Sequence, residues 1–111
     1  MEVPLMRKHT IATAQRKAAA NRVLMGQYKD LAHTAPTQLL MDYYQGQAAT
    51  AKTAWHFYCG VAFGLGGRME PDLVGVVDER TPYAFHNGRK QGREQRDRDE
   101  CARVGRMAVA S

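Results

Sequence analysis

Several kinds of residue are scarce in this 111-residue chain, and each scarcity excludes something. Cysteine occurs twice, as Cys59 and Cys101. The two lie far apart and form no Cys-x-x-Cys unit, which fits a reduced, cytoplasmic protein. Long apolar runs are missing. The longest weakly polar stretch, Thr53 to Gly67, is rich in Gly, Ala and Thr and falls short of the ~20 strongly apolar residues of a membrane span. The opening "MEVPLMRKHT" has no apolar core of a secretory signal. Acidic residues are absent from positions 3–29, a pattern shared with organellar transit peptides. Serine is also absent there, however, and the regular pattern that follows reads as a structured helix.

What is present is basic and rich in alanine. The net charge is +5 and the apolar fraction is 44%. A chain of this size forms one domain, residues 1–111, with a single core. Its alanine points to helix. A moderately basic surface favours anionic partners: nucleic acid, a nucleoprotein complex or an acidic protein face. The charge is unevenly spread. Arg7, Lys8, Arg16, Lys17, Arg22 and Lys29 stand in an acid-free first quarter, and residues 31–67 carry only Asp42 and Lys52.

Three helices are expected. Residues 10–33 have a capping Thr10, a helix-favouring "KAAANRVLM" and an apolar stripe of Ala20, Leu24, Tyr28 and Leu31. Pro36 breaks that helix and opens a second, which runs from Pro36 or Thr37 to Leu65 with Gly46 as a point of bending or division. Gly66 and Gly67 take the place of a helix C-cap. "DLVGVVDER" reads as a short helix in preference to a strand, and Thr81-Pro82 starts a last helix reaching 106. Opposite charges four apart support that helix: Lys90 with Glu94, Arg93 with Asp97, Arg96 with Glu100 and Asp99 with Arg103. Residues 1–9 are expected to be a flexible N-terminus and 107–111 a frayed end.

The most specialised stretch is "AWHFYCGVAFGLGG", residues 54–67. Its glycines match neither a dinucleotide fingerprint, which follows a strand, nor a phosphate loop, which ends in Gly-Lys-Ser/Thr. They do match a second segment. "WHFYCGVAFG" (55–64) and "YAFHNGRKQG" (83–92) both read aromatic-x-Phe-x-x-Gly-x-x-x-Gly. Glycines four apart open a groove on one helix face and let two backbones approach closely. The second helix is apolar nearly all round and is expected to lie buried between the others, or in a homodimer. Residues 84–94, "AFHNGRKQGRE", resemble the glycine-spaced, arginine-rich opening of the bacterial ribosome modulation factors, small basic ribosome-binding proteins. The resemblance spans that stretch alone. The Cys-Pro pair of that family is absent, Cys101 being followed by Ala102, so no site residue is carried over.

Catalytic groupings are thin. His56 and Cys59 share a helix face, as a nucleophile with its base or half a metal site would. His9, His33 and His86 show no ligand spacing with them, and a buried core pair explains both residues. The tyrosines of Asp42-Tyr43-Tyr44 read as packing, and Asp78-Glu79 and Asp99-Glu100 adjoin arginines as solvated ion pairs. "LAHTAPTQLL" has proline where the turn of a helix-turn-helix has glycine.

The sequence therefore predicts an all-α fold, a compact three- to four-helix bundle around a buried glycine-rich helix. It predicts no catalytic residue, metal, cofactor or membrane association. The expected function is non-enzymatic and regulatory: binding to nucleic acid or a nucleoprotein complex through Arg7, Lys8, Arg16, Lys17, Arg22, Arg89, Arg93 and Arg96. The alternative is a phage- or plasmid-type inhibitor that binds a host protein or defence complex, such as an anti-CRISPR or anti-restriction protein.

Overall fold

The computed structural model describes residues 9–68 and 83–110. These form three α-helices and, among the described residues, no strand: α1 (Ile11–His33), α2 (Gln38–Gly64) and α3 (Tyr83–Ala110). The expectations for Arg7, Lys8, "DLVGVVDER" and the Thr81-Pro82 cap fall outside the described residues.

Local chemistry sets the helix ends. The Thr10 hydroxyl accepts from the Thr13 amide, and the Thr13 hydroxyl accepts from the Thr10 amide, closing a reciprocal capping box on α1. Thr37 caps α2 by accepting from the Leu40 amide at 3.2 Å. Gly46 does not divide α2, which runs through it unbroken. At the far end Gly66 adopts φ +103°. Its amide donates to the Phe63 carbonyl and that of Gly67 to the Ala62 carbonyl. This is a Schellman stop, and it requires the left-handed conformation that glycine adopts without a Cβ penalty.

α1 and α2 form an antiparallel hairpin through the short Thr34–Thr37 connection. Ala18 packs in one cluster with Trp55, Cys59 and Phe85, and Ala14 in another with Val61 and Ala62. At the hairpin end Tyr28 stacks on Tyr44, ring centroids 6.3 Å apart. The expected stripe on α1 is overturned: Ala20, Leu24 and Leu31 are exposed, and Tyr28 alone of the four turns inward. The buried side chains of α1 are Ala14, Ala18 and Ala32, which face Ala48, Ala51 and Ala62 of α2 among the buried residues. Alanine wins the interface because its methyl lets the helix axes approach, whereas leucine at those positions would hold them apart.

α3 packs on α2 in parallel, and here the backbones themselves meet. A Cβ on Gly60 would lie 2.8 Å from the Arg89 nitrogen and closer still to the Phe85 carbonyl oxygen. On Gly64 it would lie 2.9 Å from the Arg93 nitrogen and closer still to the Arg89 oxygen. Gly88 stands in the same relation to Phe57 and Val61, and Gly92 to Val61 and Leu65. Every one of these contacts maps onto its counterpart when α2 and α3 are exchanged with an offset of 28 positions, Gly60 becoming Gly88 and Phe85 becoming Phe57. The two copies of the repeated motif thus pack on each other about a local pseudo-two-fold axis.

α2 is packed on both sides, whereas α1 and α3 do not pack against each other. They are joined instead by the buried Gln95 side chain, whose amide donates to the His9 carbonyl at 2.6 Å and accepts from the His9 amide at 3.0 Å. α2 is nevertheless not buried throughout. α3 begins level with Trp55, so upstream of it Leu39 and Tyr43 stay 81% and 57% exposed. The molecule measures 68 × 40 × 19 Å.

Candidate functional site

The positions of the cations follow from helix geometry at 100° per residue. On α1 the buried face runs through Ala14, Ala18 and Ala32. Arg16 stands about 200° around from both Ala14 and Ala18 and therefore points away from α2. Lys17 and Arg22 straddle the seam. The Lys17 ammonium lies 5.4 Å from the Tyr58 ring centroid, and the Arg22 guanidinium lies 5.2 Å from that of Trp55. Arg16, Lys17 and Arg22 are thus distributed around α1 and do not share one face.

α3 brings cations to the Arg22 side. The Arg89 guanidinium lies 5.1 Å from the Phe63 ring centroid, and Phe63 in turn meets Phe85 at 6.1 Å. Trp55, Cys59 and Phe63 are spaced four apart and form a single ridge along α2. Arg22 from one outer helix and Arg89 from the other therefore cover the two ends of that ridge. Arg93 follows Arg89 by four residues and continues its side of α3, whereas Arg96 lines a recess with His9 and Gln95. A cation held over a ring is worth about 0.5–1 kcal/mol at an exposed site. The contact also restricts a long side chain that would otherwise sample many rotamers.

Sequence reasoning selected Arg22, Arg89, Arg93 and Arg96 and missed the lysines beside them. Lys29 and Lys52 line one groove of about 470 Å³ between α1 and α2, together with His33, Gln45 and Ala49. The signals were available: Lys29 lies seven residues after Arg22, and Lys52 lies seven before Cys59 on the ridge.

Cations predominate on this flank. Residues 11–29, 43–68 and 83–93 contain no Asp or Glu, and the nearest acids in sequence, Asp30 and Asp42, follow the groove residues Lys29 and Met41. The Asp42 carboxylate accepts from the Gln38 amide at 2.8 Å. At the other end, beyond Arg93, Asp99 and Glu100 line a surface recess with Arg96 and Arg103. The Arg103 guanidinium engages Glu100 and holds its carboxyl below the ordinary carboxylate value. His9 is held below its ordinary value of 6.5 by partial burial and by nearby Lys17.

His56 and Cys59 are both buried, the His56 ring standing edge-on to Trp55 at 4.8 Å. Among the described residues no group of three His, Cys, Asp or Glu converges as a metal site would require. No described helix is long and apolar enough to cross a membrane. No protein-family model, no curated protein and no solved structure matches the chain.

Proposed function

We propose that this protein is a non-enzymatic, cytoplasmic regulator that acts by binding a polyanion, with nucleic acid or a nucleoprotein assembly as its target. The observation that carries this reading is the placement of Arg22 and Arg89. They come from two helices that do not pack on each other, yet both lie over one aromatic ridge of α2, and residues 43–68 and 83–93 around that ridge include no Asp or Glu. Such a flank attracts polyanions at long range, and its guanidiniums present the planar donor geometry that phosphate accepts. In this proposal the glycine-packed α2 is the centre of a compact bundle that keeps the cations in place.

The test is titration of a random-sequence nucleic-acid pool, duplex and single-stranded, with the full chain at low salt. Binding that disappears above roughly 200 mM salt supports the proposal, since neutralised phosphates release counterions. The absence of binding at 25 mM salt would remove it.

A second reading draws on a different surface. Leu24, Leu31, Leu39, Leu40 and Tyr43 are exposed around the α1–α2 hairpin end, and clustered exposed apolar residues mark protein-interaction surfaces. A phage- or plasmid-type inhibitor of a host protein would use that end, as would a homodimer. Leu39→Asp and Tyr43→Asp variants separate the readings. Loss of a captured host protein or of dimers, with nucleic-acid affinity unchanged, favours the second.

A further inference from the structure

We infer that the Arg22 flank forms one continuous cationic track made of Lys29, Lys52, Arg22, Arg89 and Arg93. The track grips the phosphodiester backbone of nucleic acid and leaves the bases unread. This rests on the binding function proposed above and specifies its face, its residues and its mode of recognition.

Continuity follows from the three helices taken together. Lys29 and Lys52 share a groove at one end. Arg22 and Arg89 cover the ridge in the middle. Arg93 extends the row along α3, and Arg96 lies off it in the recess lined by His9, Gln95, Asp99 and Glu100. With a rise of 1.5 Å per residue, Lys52 to Phe63 and then Arg89 to Arg93 make a row roughly 23 Å long. At 3.4 Å per step of one strand, that is about seven nucleotide steps of a duplex. Lys17, over Tyr58 on the opposite side of the seam, and Arg16, on the outer face of α1, lie off the track.

Indifference to bases follows from what lies beneath the cations. Proteins that hold single strands by their bases offer exposed aromatic faces for stacking. On this flank Trp55 is 7% exposed and lies under Arg22, Phe85 is 1% exposed, and Phe63 lies under Arg89. These rings serve the arginines and offer no stacking platform between Arg22 and Arg89; the exposed ring of Tyr83 lies in a separate recess, which Lys52, His56 and Phe57 also line at the start of α3. Between Trp55 and Phe63 no helix stands clear of its neighbours to enter a groove, because α1, α2 and α3 lie side by side there. Phosphate contact positions a ligand without specifying its sequence.

The experiment is fluorescence anisotropy of the full-length protein with labelled 20-nucleotide DNA, two unrelated sequences, each as duplex and single strand, from 25 to 300 mM KCl. Five contacts predict a log–log salt slope near −4.5 on duplex and near −3.5 on a single strand, from about 0.9 and 0.7 per phosphate. The two sequences should agree within about threefold. Lys29→Ala and Lys52→Ala, both at exposed positions, should each lessen the duplex slope by about 1 with the melting temperature unchanged. Arg16→Ala should leave the slope as it is. A slope moved by Arg16→Ala and Lys17→Ala but not by Lys29→Ala and Lys52→Ala would refute the track while leaving nucleic-acid binding intact. More than tenfold preference between the sequences would refute backbone-only recognition. Poly-glutamate binding as tightly as DNA through the same residues would replace nucleic acid by an acidic protein. No binding at 25 mM KCl would overturn the underlying function and the track together.

Discussion

Replacing Gly88 by alanine adds one methyl group to the chain, and the geometry says where that methyl must go. It would lie 2.9 Å from both the Phe57 carbonyl carbon and the Val61 nitrogen, and closer still to the Phe57 oxygen. Ordinary contact begins near 3.4 Å, so clearing the Phe57 oxygen requires α2 and α3 to part by ~1 Å or more, and side-chain rearrangement cannot absorb the change because the obstructing atoms are backbone. Overpacking of this kind costs about 1–3 kcal/mol. The intrinsic helix preference of alanine over glycine returns up to ~1 kcal/mol of that. A net loss of about 1–2 kcal/mol lowers the melting temperature of a domain this size by roughly 4–10 °C. Gly46→Ala is the internal control, because nothing lies within 4 Å of its added methyl. That variant should gain up to ~1 kcal/mol and melt a few degrees higher. Thermal unfolding followed by circular dichroism at 222 nm reads both. Gly88→Ala melting at or above the wild type, or Gly46→Ala falling as far as Gly88→Ala, would refute the backbone-contact account.

Three other outcomes are expected. Gln95→Ala removes both hydrogen bonds to the His9 backbone and should cost about 1–3 kcal/mol in a denaturant melt; an unchanged midpoint would show that His9 is not held to α3. In a thiol titration with Ellman's reagent, exposed Cys101 should react at once and buried Cys59 only after denaturation; two fast thiols would contradict the burial of Cys59. His9 has a pKa lowered on folding, so the unfolded chain binds the proton more tightly, and stability present above pH 6.5 is lost as pH falls below it. The melting temperature should therefore drop more between pH 7.5 and 5 for the wild type than for His9→Gln. Equal drops would sink that linkage.

The sequence carried the helix ends well because their causes are local. Thr10 and the Gly66-Gly67 stop act within a single turn, and each occupies its expected place, whereas α2 opens one step later than expected: Thr37 caps it and Pro36 precedes the cap. The repeat at 55–64 and 83–92 was also legible, because glycine spacing encodes how near a second backbone can come. The face of α1 was not. An apolar stripe of Leu24 and Leu31 outweighs Ala14 and Ala18 in hydrophobicity, yet α2 accepts the alanines because their small methyls leave room for Trp55, Cys59 and Val61 in the seam. That choice depends on two surfaces at once and cannot be read from either alone. The candidate site failed to show itself for the same reason. Lys52 looked like an isolated charge in an apolar helix, and its value depends on Lys29, which the hairpin brings alongside from another part of the chain.

The arrangement of the helices has a mechanical consequence. The molecule is 19 Å across in its thinnest direction, and its outer helices both lean on α2 without bracing each other. It resembles a plank with two outriggers, tied across by the Gln95–His9 link. A stiff polyanion laid over Arg22 and Arg89 would act as the missing crossbar, joining α1 to α3 from outside. Its binding free energy would then appear as resistance to splaying, about 2.7 kcal/mol when the ligand stands at a hundred times its Kd. In such a protein the partner supplies part of the framework, and the protein–ligand complex is the more rigid object of the two.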